Sequence, residues 1–293
     1  MMKLDDITIF EQTALAPYAH TQVGGTVEYL AIPKTLLALQ KLLNWAKTNG
    51  HEIHIFGRLS NLVVRNGGLK GLSILLHELR DIHVDQNTIT ADAGADLILV
   101  AETAMENNLT GLEWAAGIPG SVGGAIFMNA GAYGGQASMV TVSATAIMPN
   151  GELKRFPAEK LDFDYRQSVF QTNGGVIVSA TFALLPDNKQ NIQSRMDDNN
   201  FKRANKQPLN YPSNGSVFKR PEGFFAGKLI MDSELQGVRI GGVEVSKKHA
   251  GFMVNIGNGT GNDYEDLIHF VQKTVKTKFG VTLETEVRIM GER

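Results

Sequence analysis

The chain contains no cysteine. That absence excludes disulfides, thiolate metal sites, a cysteine nucleophile and a sulfur-linked cofactor, and it fits a reducing compartment. Excess charge of either sign is also missing, with a net charge of -2 over 293 residues. Without a basic surplus, nucleic acid is not an expected partner. A long apolar run is absent as well. The widest stretch free of charge and histidine, residues 114–151, holds Pro119, Asn129, Gln136, Pro149 and Asn150 among many glycines. A bilayer helix is not built that way, so no membrane insertion is expected. The opening MMKLDDITIFEQ carries acidic residues where a secretory apolar core would begin. A cytoplasmic location is therefore expected, and with it no glycosylation at Asn108, Asn214 and Asn258 despite their Asn-x-Ser/Thr context. The histidines are scattered without ligand spacing, and no metal site is expected.

What is present is an ordinary globular composition, 43% hydrophobic and 20% charged. The length suits two or three subdomains. Strands are expected at 27–32, 53–56, 62–64, 72–76, 88–91, 140–148, 176–185 and 286–290. Helices are expected at 35–48, ended by Gly50, and at 96–107, with Asp96 as cap. A polar helix is expected at 187–205 and an amphipathic one at 263–279, with Leu267, Ile268, Val271, Val275 and Phe279 on one face. The pattern implies an α+β protein of mixed sheets in three parts.

Five segments carry candidate chemistry. Gly57-Arg58-Leu59-Ser60-Asn61 joins two short strands and can aim backbone N–H groups at a phosphate, or serve as an ordinary turn. Residues 111–135, GLEWAAGIPGSVGGAIFMNAGAYGG, hold eight glycines in twenty-five positions. Such density costs chain entropy and suits backbone lying against a flat ring or a pyrophosphate. It matches neither the P-loop nor the Gly-x-Gly-x-x-Gly pattern. Arg166, after Tyr165, can clamp a carboxylate bidentately or simply lie on the surface. Residues 206–221, KQPLNYPSNGSVFKRP, combine turn residues, hydroxyls, bases and a Val-Phe pair suited to burial. Residues 201–250 hold nine Lys or Arg against four acids, which suits an anionic ligand or a solvated basic face. Glu284 and Glu286, two apart on the expected last strand, should share a face.

In this order, GIPGSVGGAIFMNAGAYGG, DYRQSVFQ, PSNGSVFKRP, AGKLIMDSELQGVRIGGVEVSKKHAGFMVN and EVRIMGE resemble the UDP-N-acetylenolpyruvoylglucosamine reductases, in their shorter form. The resemblance runs from Thr21 to Arg293. It implies a vanillyl-alcohol-oxidase/PCMH-type FAD-binding fold. Residues 1–75 and 76–203 would be two FAD-binding subdomains. Residues 204–293 would be a third, α+β, substrate-binding domain whose last strand returns towards the active site. The implied enzyme is a UDP-N-acetylmuramate dehydrogenase of peptidoglycan precursor synthesis. NADPH reduces non-covalently bound FAD, and hydride then passes to C3 of the small-molecule substrate UDP-N-acetylglucosamine enolpyruvate while C2 is protonated.

The resemblance also implies site residues. Ser216 matches the proton donor, Arg166 the active-site arginine and Glu286 the active-site glutamate. FAD would be bound by Gly57, Arg58, Leu59, Ser60 and Asn61 and by Gly117, Gly120, Ser121, Gly123, Gly124, Asn129 and Gly131. Substrate would meet Tyr133, Tyr165, Lys206, Lys219 and Arg220. Two departures stand out. Leu59 carries a Cβ where such loops often have glycine or alanine, which costs about 1 kcal/mol or more if that position takes a positive φ. Asn214 and Ala116 stand where close relatives often carry cysteine. Another FAD-dependent oxidoreductase of the same fold and a non-enzymatic nucleotide-binding regulator are the alternatives.

Overall fold

Helix α1, Leu36–Thr48, begins after Thr35, whose backbone is still extended. The Thr35 hydroxyl accepts the Ala38 N–H at 3.1 Å, and Leu39, Leu42 and Ala46 form the buried face. Gly50 follows with φ +69°, a left-handed conformation that glycine tolerates without penalty. The computed structural model describes residues 1–293 throughout. Helix α2, Leu97–Glu106, is capped as expected by Asp96, whose carboxylate accepts the Ile98 N–H at 3.0 Å.

The chain forms two compact units. One comprises Met1–Phe10, Leu30–Arg58 and Gly71–Arg203, and the other Glu11–Tyr29, Leu59–Lys70 and Ala204–Arg293. In the first, Met2–Leu4 opens an antiparallel hairpin with the start of Ile7–Ala14, while Ile53–Phe56 runs parallel to residues 72–75. A separate antiparallel sheet takes the order Leu153–Pro157, Thr141–Ile147, Val176–Ala183, Thr88–Asp92, Ile82–Asp85. Ala144, Ala180 and Ala91 face one another across its three central strands and are buried. These small side chains leave room for helix α3, Val122–Phe127, to pack on the sheet. Gly123 completes the fit: its N–H donates to the Ala93 carbonyl at 2.8 Å, and a Cβ there would stand 2.9 Å from the Ala93 Cβ. Helix α3 escapes sequence patterning because two of its six residues are glycine, a poor helix former. The polar helix appears as α4, Lys189–Lys206.

The second unit is built on an antiparallel sheet in the order Ser213–Ser216, Phe252–Asn255, Val243–Val245, Arg239–Ile240. Its short strands, rich in Ser, Asn and Gly at one edge, gave no period-two signal in the sequence. Helix α5, Ala226–Asp232, packs on α6, Gly261–Phe279, which in turn covers two of these strands. Tyr264, Leu267, Ile268, Val271 and Val275 of α6 join Val217, Phe218, Val243, Val245 and Met253 in one core. A Thr260–Asp263 capping box starts α6 and Gly280, at φ +71°, ends it. Leu62–Val64 pairs in parallel with Arg288–Met290. That final strand is shorter than expected. Glu284 and Glu286 precede it, with Glu284 exposed and Glu286 half-buried, so strand periodicity does not set their directions.

No helix is long and apolar enough to cross a membrane, and no group of three or more His, Asp or Glu side chains could hold a metal ion.

Candidate active site

Within the first unit, folding brings the two glycine-bearing segments together. A Cβ on Gly57 would lie 2.1 Å from the Ser121 Oγ, so only glycine lets the loop reach the start of α3. Ser121 caps that helix by accepting the Gly124 N–H at 3.3 Å and forms an isolated bridge with Asp96. The Leu97 N–H donates to the Gly120 carbonyl at 2.9 Å. Arg58 donates to Asp96 at 2.7 Å. Gly57, Arg58, Gly120, Ser121, Gly123 and Gly124 therefore meet where α2 and α3 both begin. Gly124 is exposed, and a Cβ there would touch only the Ser121 Oγ, at 3.4 Å. This bare backbone cradle beside two helix starts fits a flat, phosphate-bearing cofactor such as FAD.

Gly117 has a different surrounding. A Cβ there would meet Arg203 Nε and Asn200 Oδ1 of α4, each at 2.7 Å. Burial pushes the Arg203 guanidinium below its ordinary pKa, with Tyr133 acting in the opposite sense. Tyr133 is exposed and takes φ +52°. Helix α4 also holds Glu113. Arg195 donates to the Glu113 carboxylate at 2.8 and 3.0 Å, Thr110 donates at 2.6 Å and the Gly111 N–H at 2.8 Å. Nothing in the composition of residues 111–117 marked Glu113 as an anchor, because its partner lies 82 positions away.

Arg166, Asn129 and Gly131 form a third group. Arg166 donates to the Gly131 carbonyl at 3.1 Å and to the Asn129 carbonyl at 3.5 Å, and its guanidinium lies 5.1 Å from the Tyr165 ring centroid. Asn129 is 1% exposed. Its amide donates to the Asp164 carbonyl at 3.0 Å and accepts the Ser138 N–H at 3.0 Å. One end of that side chain thus ties the glycine segment to the loop carrying Tyr165 and Arg166, while the other braces it on Ser138. Arg166 itself takes φ +56°, a conformation a non-glycine residue holds only when its surroundings enforce it.

In the second unit, Leu59 takes φ +48° and is 6% exposed, so the conformational cost foreseen for its Cβ is present. Ser60 is half-buried. Asn61 donates from Nδ2 to the Glu286 carbonyl at 3.1 Å and accepts the Arg288 N–H at 3.1 Å. The Glu286 N–H donates to the Val217 carbonyl at 2.8 Å, next to exposed Ser216. Asn61, Glu286 and Val217, the neighbour of Ser216, therefore belong to one hydrogen-bonded assembly. Lys219 pairs by its backbone N–H with the Glu284 carbonyl at 2.9 Å and reaches the Glu284 carboxylate at 3.5 Å. Arg220 lies over the Phe225 ring at 4.0 Å. Lys206 is exposed at the end of α4. Burial, and then the Lys206 charge, hold His249 below its ordinary pKa.

Residues 27–157 match the model of an FAD binding domain, which places the chain in the class of FAD-dependent oxidoreductases with the PCMH-type fold. Residues 207–290 match the C-terminal domain of UDP-N-acetylenolpyruvoylglucosamine reductase. The chain is 72% identical to the UDP-N-acetylenolpyruvoylglucosamine reductase of Leuconostoc mesenteroides over 100% of both chains. It is 51% identical to that of Limosilactobacillus reuteri, over 100% of this chain and 98% of the relative. The crystal structure of the Thermus caldophilus reductase aligns with a TM-score of 0.83 at 28% identity, covering 97% of this chain and 99% of that one. The chain belongs to the UDP-N-acetylenolpyruvoylglucosamine reductase family, as its motifs implied.

Proposed function

We propose that the protein reduces UDP-N-acetylglucosamine enolpyruvate to UDP-N-acetylmuramate with NADPH, in the cytoplasm, as a step of peptidoglycan precursor synthesis. Family membership supports the reaction, and the assembly joining Asn61, Glu286 and the Ser216–Val217 backbone is the observation that carries the assignment of roles. Residues 1–75 and 76–203 bind FAD, and residues 204–293 take the substrate. Gly57, Arg58, Leu59, Ser60 and Asn61 and the segment holding Gly117, Gly120, Ser121, Gly123, Gly124, Asn129 and Gly131 hold the cofactor. Bound FAD supplies a carrier for hydride from NADPH to the enolpyruvyl C3.

Hydride addition at C3 leaves negative charge on C2 and the adjacent carboxylate. Arg166 presents a planar pair of donors to that carboxylate, its orientation fixed by the Gly131 and Asn129 carbonyls. Glu286 would support the same charge where a proton bridges it to the carboxylate. Ser216 gives its hydroxyl proton to C2 and recovers one from solvent. Tyr133, Tyr165, Lys206, Lys219 and Arg220 contact the nucleotide-bearing substrate, whose diphosphate suits the basic excess of residues 201–250.

The test is anaerobic. Purified protein should be yellow, with absorption near about 450 nm from flavin. NADPH should bleach it, and the enolpyruvyl substrate should restore the colour in one-to-one stoichiometry. Recovery with oxygen alone would indicate an oxidase, and a colourless protein a regulator; either result overturns the proposal.

A further inference from the structure

The strand bearing Ser216 is out of step with its neighbour by one residue. Ser213 lies opposite Val254, but Ser216 lies opposite Phe252, so four residues on one strand face three on the other. The hydrogen bonds follow the same break. The Asn255 N–H donates to the Pro212 carbonyl at 2.9 Å on one side, and the Val217 N–H donates to the Gly251 carbonyl at 2.9 Å on the other. Continued from Pro212 and Ser213, the ladder would pair Asn214 directly with Met253, and the Asn214 N–H would donate to the Met253 carbonyl. The extra residue prevents this. Gly215 takes φ +73°, and the strand bulges.

A side chain fills the vacant rung. Tyr264, in the first turn of α6, is 0% exposed, and its hydroxyl donates to the Met253 carbonyl. Burial raises the phenol pKa above its ordinary value, with the Asn214 backbone N–H acting in the opposite sense, so the hydroxyl keeps its proton at neutral pH. Tyr264 is held in turn by the capping box and by Gly261, whose missing Cβ lets α6 start against the Val64 carbonyl. On its other side the bulge is tied by Asn214, 5% exposed, whose Nδ2 donates to the Leu62 carbonyl at 2.8 Å. Leu62 follows Asn61, which holds Glu286.

We propose that Tyr264 is a positioning residue for Ser216: its hydroxyl stands in for the missing ladder rung and holds open the bulge that places Ser216 opposite Phe252. A regular ladder would move Ser216 to a position opposite Gly251 and so change where its hydroxyl lies. This inference rests on Ser216 being the proton donor.

Tyr264→Phe removes only the hydroxyl and is tested as the flavin-loaded full chain by anaerobic stopped flow. Flavin reduction by NADPH should stay within about threefold of the parent, while reoxidation by saturating enolpyruvyl substrate slows at least about tenfold. In the Ser216→Ala background, the same change should have almost no further effect on reoxidation, because the group it positions is gone. A purely structural Tyr264 would lower the melting temperature, slow both half-reactions together, or act additively with Ser216→Ala; the second or third result overturns the proposal. If Ser216→Ala alone leaves reoxidation unchanged, the assignment of Ser216 fails first and the inference falls with it. If Tyr264→Phe does not accumulate with flavin, Gly215→Ala probes the bulge instead. A Cβ at residue 215 meets no atom within 4 Å, yet its φ of +73° strains any side chain. Reoxidation at saturating substrate should again fall selectively at least about tenfold; a parental rate would overturn the proposal.

Discussion

The Glu286 N–H donates to the Val217 carbonyl at 2.8 Å, one residue from Ser216. The two candidate catalytic groups, 70 positions apart in sequence, thus hang on a shared backbone hydrogen bond. Asn61 fixes the other side of Glu286 through its carbonyl, at 3.1 Å. Small displacements of either strand are therefore felt by both groups.

Ser216→Ala should bind flavin and accept hydride from NADPH at near the parental rate. Reoxidation by the enolpyruvyl substrate should fall by about 10² to 10⁴, the usual worth of general acid catalysis. Ser216→Cys should recover part of the loss, since a thiol also donates a proton. Pre-reduced, anaerobic samples with matched melting temperatures separate this effect from destabilisation. A rate within about threefold of the parent removes Ser216 from the chemistry.

Arg166→Lys keeps the charge but loses the planar fork that the Gly131 and Asn129 carbonyls orient. The substrate half-reaction should slow far more than the NADPH half-reaction. Equal slowing of both, measured separately by stopped flow, would assign Arg166 to holding the loop together.

Leu59→Gly sets two effects against each other. Relief of the left-handed conformation is worth about 1–2 kcal/mol. Loss of a buried leucine costs about 2–5 kcal/mol, judged from leucine truncations in other cores. Burial should win, so the variant should melt at a lower temperature despite its easier backbone. A rise in melting temperature would show that conformational cost dominates at this loop.

Glu113 should make stability pH-dependent. Burial alone would raise its pKa, but hydrogen bonds from Thr110, Arg195 and the Gly111 N–H hold it below the ordinary 4.5. A group with a lowered folded pKa binds fewer protons in the folded chain. Its stabilisation is complete above pH 4.5 and is lost as pH falls through the lowered folded value. Glu113→Gln should lower the melting temperature at neutral pH and flatten its decline in acid. An unchanged acid limb in the variant would show that other carboxylates carry the dependence.

Much of the fold was legible in the sequence. The helices α1, α2 and α6 carry apolar periodicity, and α2 an explicit cap at Asp96, and these are local signals; the capping roles of Thr35 and Thr260 emerged only in the structure. Ile53–Phe56 and Leu62–Val64 fall where their apolar runs predicted. The residue types proposed for the site also came from the sequence, since Gly57, Gly124, Arg166, Ser216 and Glu286 sit in motifs whose chemistry the family resemblance supplied. The left-handed conformation at Leu59 was visible only as a condition, because a single side chain does not reveal its own φ.

Tertiary structure alone decided what those residues lean on. The contact of Gly57 with Ser121, the grip of Arg195 on Glu113 and the tie from Asn61 to Glu286 join positions 64, 82 and 225 residues apart. The sheet edge at Ser213–Ser216 was invisible for a related reason: its residues are poor strand formers, and its register is set by a neighbour and by a tyrosine 50 positions later. Sequence by itself determined the four longer helices, α1, α2, α4 and α6, and which chemistry its motifs offer, because propensity, capping and residue type act locally. The orientation of each group was decided by packing, because hydrogen bonds between distant strands, and the buried donors that complete them, exist only once the core has closed.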